Sequence, residues 1–147
     1  MIFAPEAGEV ASWYVAFHAH CRNGWVRRLV PGRFKHVSLI GTVPAMKAWV
    51  WLEVHFGGTR VAVYPDTESG RQAIADRLGD HALLAMPARE GGAGMVCRAG
   101  LTCVSMVAHT LGLGRGALFP DGLWRKCLAH GARIVFDHGI SVTEGKA

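Results

Sequence analysis

Residues 48 to 56, Ala-Trp-Val-Trp-Leu-Glu-Val-His-Phe, and residues 59 to 64, Thr-Arg-Val-Ala-Val-Tyr, are two β-prone runs split by Gly57-Gly58. Aromatic and β-branched side chains favour extended backbone, and the glycine pair supplies a tight turn, so the two runs predict a hairpin. A hairpin commits the chain to an antiparallel sheet. Residues 13 to 19, Trp-Tyr-Val-Ala-Phe-His-Ala, and 34 to 41, Phe-Lys-His-Val-Ser-Leu-Ile-Gly, predict two further strands. A short strand is expected at 82 to 86.

Helical spacing separates these runs. Trp25, Val26, Leu29 and Val30 predict a short helix over 23 to 30, stopped by Pro31-Gly32. Residues 68 to 78 carry Ile74, Ala75 and Leu78 at helical spacing. The clearest helix is 102 to 111. Thr102 suits its N-cap, Val104, Val107, Ala108 and Leu111 form its apolar stripe, and Gly112 and Gly114 close it. A last amphipathic helix is expected at 120 to 130. Residues 87 to 100, with Gly91, Gly92, Gly94 and Gly100, read as a loop, and Thr143 to Ala147 as a frayed tail. Strands grouped with separate helices predict an α+β fold, an antiparallel sheet with packed helices, in a single domain over 1–147.

Half of the 147 residues are apolar and 18% are charged, a globular composition. No apolar run approaches the roughly 18 residues of a membrane span, so no membrane insertion is expected. Met1-Ile2-Phe3-Ala4-Pro5-Glu6 lacks a basic segment before an apolar one, and no signal peptide is expected. The net charge of +5 is dispersed over pairs such as Arg27-Arg28 and Arg33 with Lys35. Nucleic acid would call for a denser basic stripe with stacking aromatics, so none is expected as a partner. The four cysteines form no CxxC pair and read as reduced thiols. His18, His20 and Cys21 are close in sequence, but on a strand Cys21 points away from the two histidines. No metal is therefore expected. Gly112-x-Gly114-x-Gly116 follows a helix rather than a strand and is no dinucleotide fingerprint, so no cofactor is expected either.

Cys103 falls in the first turn of the 102 to 111 helix. Backbone N–H groups and the helix dipole there stabilise a thiolate, the form that attacks a carbonyl, and can hold an oxyanion. A thiol nucleophile needs a base, and His36, near the start of a strand, supplies the usual one. Alternation places Phe34, His36 and Ser38 on one face of that strand and Val37 and Leu39 on the other. On the next strand Trp49, Trp51, Glu53 and His55 share a face. Glu53 is the first candidate to accept the Nδ1 proton of His36, because a carboxylate favours imidazolium more than a second imidazole does. His55 is the alternative. Trp49 and Trp51 are candidate walls of a substrate groove. Cys97 reads as a loop cysteine, and His109 lies about 240° round the helix from Cys103, out of reach of the same thiol.

A His at a strand start (Phe34-Lys35-His36-Val37), a polar residue on the following strand (Glu53 or His55) and a Cys at a late helix N-terminus (Leu101-Thr102-Cys103-Val104) form an ordered set. It resembles the circularly permuted papain-like thiol hydrolases, the permuted relatives of NlpC-type cell-wall peptidases and of lecithin retinol acyltransferase. Small phage-encoded members are the nearest in pattern, with an aromatic strand and a short helix before the His strand. In both, a glycine turn and a second amphipathic helix follow the Cys helix, here Leu111-Gly112-Leu113 and Phe119-Pro120-Asp121-Gly122-Leu123-Trp124. The resemblance spans residues 12 to 130. It implies a permuted papain-like fold and a cysteine peptidase or amidase. Cys103, His36 and Glu53 or His55 would be its catalytic residues, and peptide or peptidoglycan its substrate. It also implies a phage context: virion-associated, or cytoplasmic in an infected bacterium, with other phage tail proteins as partners. The alternative expectation is a non-enzymatic virion or tail component that uses the same fold as a docking module, with its basic surface and residues 91 to 100 meeting the partner.

Overall fold

The β-prone runs become six strands: β1 (Ser12–His18), β2 (His36–Val43), β3 (Ala48–His55), β4 (Gly58–Pro65), β5 (Ala82–Ala85) and β6 (Arg133–Asp137). Between them lie α1 (Gly24–Leu29), α2 (Glu68–Leu78), α3 (Cys103–Thr110) and α4 (Pro120–Ala129), with a 3-10 turn at Pro44–Met46. The structure is a computed structural model and describes residues 9–21, 23–55, 58–79, 81–87, 102–114 and 116–138. Cys97, the glycine-rich residues 91 to 100 and the 143 to 147 tail lie outside the described residues. The strands form one antiparallel sheet in the order β4-β3-β2-β1-β5-β6. This is the α+β, antiparallel architecture expected from the alternating runs.

Helices cover both faces, because β1 and β2 are apolar on both sides. On one face Val15, Phe17, Val37, Leu39 and Leu84 pack against Val104, Val107 and Ala108 of α3 and Leu123 and Cys127 of α4. On the other, Ala16, Ile40, Trp51 and Leu83 pack against Ile74 and Leu78 of α2. Trp51 is only 1% exposed, so it is core and not a groove wall. Trp49 is partly buried against the same core, and its indole N–H donates to Asp66 Oδ1 at 3.1 Å. A glycine permits α2 to come this close. A Cβ on Gly70 would stand 1.9 Å from the Pro65 carbonyl oxygen.

Two departures from the expected elements have local causes. β2 begins at His36, not at residue 34, and Phe34 turns to the α3/α4 face, its ring 5.1 Å from that of Phe17 and 5.2 Å from that of Trp124. Phe34 therefore does not share a face with His36 and Ser38. The residues before His36 are held by Asp121 in the first turn of α4. Its carboxylate accepts the backbone N–H of Arg33 and of Phe34, each at 2.8 Å. Gly32, at φ +90°, leaves room for that carboxylate, since a Cβ there would lie 2.3 Å from Asp121 Oδ2. β6 is the second departure. Its five residues, Arg-Ile-Val-Phe-Asp, are too short a run to stand out by alternation, and it pairs with β5 through a register shift between Leu83 and Leu84.

At the other end of the site, α3 is started by a reciprocal cap. Thr102 Oγ1 accepts the Ser105 N–H at 3.0 Å and Ser105 Oγ accepts the Thr102 N–H at 2.8 Å. Cys103 is thus the first helical residue.

Asp121→Ala removes the acceptor for two backbone donors leading into β2. It should cost about 1–3 kcal/mol, the usual penalty for stranding such groups. Urea unfolding of parent and variant measures this as a lower midpoint at unchanged slope; equal midpoints would show that Asp121 does not hold the entry to β2.

Candidate active site

The register of the sheet decides which polar side chains meet. His18 lies opposite His36, and Ser38 opposite Glu53. Opposed residues of an antiparallel pair point to the same face, as do residues two apart on one strand. His18, His36, Ser38, Glu53 and His55 therefore gather on the α2 face, toward the end of the sheet where β2 begins. The face is closed by Arg77 from the last turn of α2. α3 packs over the opposite face, and its first residue brings a thiol to the same end of β2.

Glu53 is the hub of this cluster. His36 Nε2 donates to Glu53 Oε1 at 3.0 Å. The other carboxylate oxygen, Oε2, is 3.1 Å from His55 Nε2 and accepts from Arg77 Nη2 at 3.1 Å. Arg77 Nη1 donates to the Tyr64 hydroxyl at 2.8 Å, and its guanidinium lies 4.9 Å from the centre of the Trp51 ring. The Cys103 thiol lies close enough to the His36 imidazole for each to shift the other's pKa. With Nε2 committed to Glu53, Nδ1 is the nitrogen left for sulfur. Backbone N–H groups of Val37 and Val104 also lie near the sulfur and favour its ionised form. Beneath this line His18 Nε2 and Ser38 Oγ share a 2.8 Å hydrogen bond. The His18 ring stands 5.3 Å from that of His36 and 4.2 Å from that of His81.

These contacts set the charges. Burial alone would lower the His36 pKa. Hydrogen bonding of the protonated ring to Cys103 and Glu53, and their negative charges, outweigh it and raise the pKa to about 9. Burial would raise the Cys103 thiol, yet the hydrogen bond and charge of His36, with the two N–H groups, bring it below its ordinary value. Glu53 is likewise opposed by burial but held well below the usual carboxylate range by His36 first, then by the charges of His55 and Arg77. Burial, then His81 and His36, push His18 down to about 3, so it is neutral at pH 7. The result is an imidazolium set between a carboxylate and a thiol whose ionisation is favoured. Cys127 makes the contrast. Buried in the α3/α4 core, its thiol is pushed up to about 12.

Three of the four residues singled out in the sequence, Cys103, His36 and Glu53, form one connected line. The contact to Glu53 runs through Nε2 of His36, not through the expected Nδ1. His55 joins the cluster through Glu53 rather than as the direct partner of His36. Its ring is 5.9 Å from that of His36, and its side chain is 50% exposed, against 11% for Glu53. Arg77 was not among the sequence candidates. The signal was present in that Arg77 is three residues from Ile74 and next to Leu78, so the apolar stripe that seats α2 carries a cation with it. Ser38 and the neutral role of His18 depend on cross-strand register, which composition does not reveal. Among the described residues, no group of three or more His, Cys, Asp or Glu side chains is arranged to hold a metal ion.

A raised imidazole pKa contributes stability that is complete below the ordinary value of about 6.5 and is lost as pH rises through about 9. A lowered carboxyl pKa contributes stability above its ordinary value, lost on acidification. Glu53→Gln removes the carboxylate and should lower the His36 pKa by at least about one unit, drawing the alkaline loss of stability down with it. NMR titration of the imidazole carbons reads the midpoint directly; a midpoint that stays near 9 would detach Glu53 from His36. Compared with known proteins, the chain matches no family model, no curated protein and no solved structure.

Proposed function

We propose that the chain is a thiol-dependent hydrolase of the peptidase or amidase type, with Cys103 as nucleophile, His36 as base and acid, and Glu53 as the group that orients His36. What carries the reading is the single line from the sulfur at the head of α3 through the His36 imidazole to the Glu53 carboxylate. An isolated helix-start cysteine needs no imidazole, and a structural ion pair needs no thiol.

The chemistry follows from the charges. The Cys103 thiolate attacks the carbonyl carbon of an amide, forming a C–S bond and placing negative charge on the carbonyl oxygen. The capping box takes the N–H groups of Thr102 and Ser105, and the sulfur takes that of Val104. The Cys103 N–H is the first-turn donor these bonds leave to face the oxyanion. His36 gives its proton to the leaving nitrogen as the C–N bond breaks, leaving a thioester. Neutral His36 then takes a proton from water, the hydroxide adds to the thioester, and the C–S bond breaks to return thiolate and imidazolium. Glu53 keeps its charge throughout and holds the ring.

The substrate and setting rest on the resemblance to the permuted papain-like hydrolases: peptide bonds in peptidoglycan, cut by a phage-associated enzyme in a permuted papain-like fold. The dispersed positive charge suits an anionic cell-wall polymer. Among the described residues no helix is long and apolar enough to cross a membrane.

Iodoacetamide at pH 7 should label Cys103 first and leave Cys127 unmodified while the protein is folded. His36→Ala should slow the labelling of Cys103 by at least about tenfold. Peptide mapping by mass spectrometry gives the rates. Equal rates for Cys103 in parent and His36→Ala, at the level of a free thiol, would end the hydrolase reading. Release of soluble muropeptides from purified sacculi by the parent and not by Cys103→Ala tests the substrate class separately.

A further inference from the structure

Glu53 has to do two things for His36: stay ionised in a largely buried place, and keep one oxygen aimed at Nε2. The second requirement is geometric. A glutamate carboxylate on three rotatable bonds can turn, and a buried carboxylate that turns away strands the imidazolium. Of the two residues on Oε2, His55 is half exposed and reaches Glu53 from the same strand, as its last residue. Arg77 is different. Its guanidinium is fixed from three directions, by Glu53 Oε2, by the Tyr64 hydroxyl and by the face of Trp51, which is itself core. The planar fork lets one nitrogen serve the carboxylate while the other serves the phenol.

We propose that Arg77 is a positioning residue of the thiol site: anchored on Tyr64 and Trp51, it holds Glu53 Oε2 so that Oε1 stays aimed at His36. The inference rests on the hydrolase reading above and extends it to a second helical layer. Through Arg77 the carboxylate is held between imidazolium and guanidinium, and the line ends in four alternating charges once Cys103 ionises. Such alternation is the arrangement in which charges tolerate burial. Among the described residues, the other titratable groups facing the line are His18 from β1, His81 just before β5, His55 from β3, and Arg60, opposite Glu53, with Tyr64 from β4.

The test is the pH dependence of Cys103 alkylation in the parent, Arg77→Met, Arg77→Lys and Glu53→Gln, together with the thermal midpoint of each. In Arg77→Met the acid limb of the profile should move up by about one unit, so that alkylation at pH 6 falls roughly tenfold. Arg77→Lys keeps the charge but loses the fork, and should resemble Arg77→Met more than the parent. An acid limb unmoved in Arg77→Met, whatever its thermal midpoint, overturns the proposal by making Arg77 merely structural. A parent-like Arg77→Lys overturns it by reducing Arg77 to a charge. If Arg77→Met does not fold, Arg77→Lys with Tyr64→Phe, which removes only the anchor, decides in its place. Should the parent itself lack an acid limb and Glu53→Gln leave the profile unchanged, it is the hydrolase reading that fails; a parent limb moved by Glu53→Gln and not by Arg77→Met condemns Arg77 alone.

Discussion

A buried carboxylate organises this molecule. Glu53 sits in the third strand of the sheet with few routes to water, and its ionised form survives there only because imidazole and guanidinium groups surround it. Each partner comes from a different element. His36 comes from the neighbouring strand, His55 from two residues further along β3, and Arg77 from the helix above. Satisfying one side chain therefore fixes the register of β2 against β3 and the seat of α2 on the sheet. A one-residue slip of β2 would put His36 on the far face and leave the charge stranded.

The thiol is reached from the other side. α3 belongs to the opposite core, packed on Val37 and Leu39, the residues that alternate with His36 and Ser38. A side chain in mid-strand would be screened from α3 by the sheet itself. His36 escapes this because it is the first residue of its strand, where the sheet ends and a helix start can come level with it. The Asp121 carboxylate on the preceding backbone, the Gly32 that admits it and the reciprocal cap at Thr102 and Ser105 are small devices, but they place that strand end and that helix end side by side.

Much of this was legible from residue types. The Trp49, Trp51, Glu53, His55 alternation names the face, and the Thr102-Cys103 start names the helix end, because periods of two and 3.6 survive in any context. What was not legible depends on through-space partners. Phe34 reads as the first residue of a strand by its neighbours, yet aromatic packing with Phe17 and Trp124 turns it out of the ladder. Trp51 reads equally well as groove wall or core until the helix above it is placed. Arg77 looks like an ordinary last-turn cation, and only the seating of Ile74 and Leu78 reveals that it points inward. β6 has too few residues to declare itself without β5 beside it.

The two helical layers meet only around the end of the sheet, and that has a bearing on how reactivity is controlled. Sulfur is activated by an imidazole that belongs to one core while the sulfur itself belongs to the other. Lifting α3 off β2 parts them, and a cysteine parted from its imidazole reverts to an ordinary thiol. The lowered thiol pKa is therefore a property of the completed molecule and not of any one element.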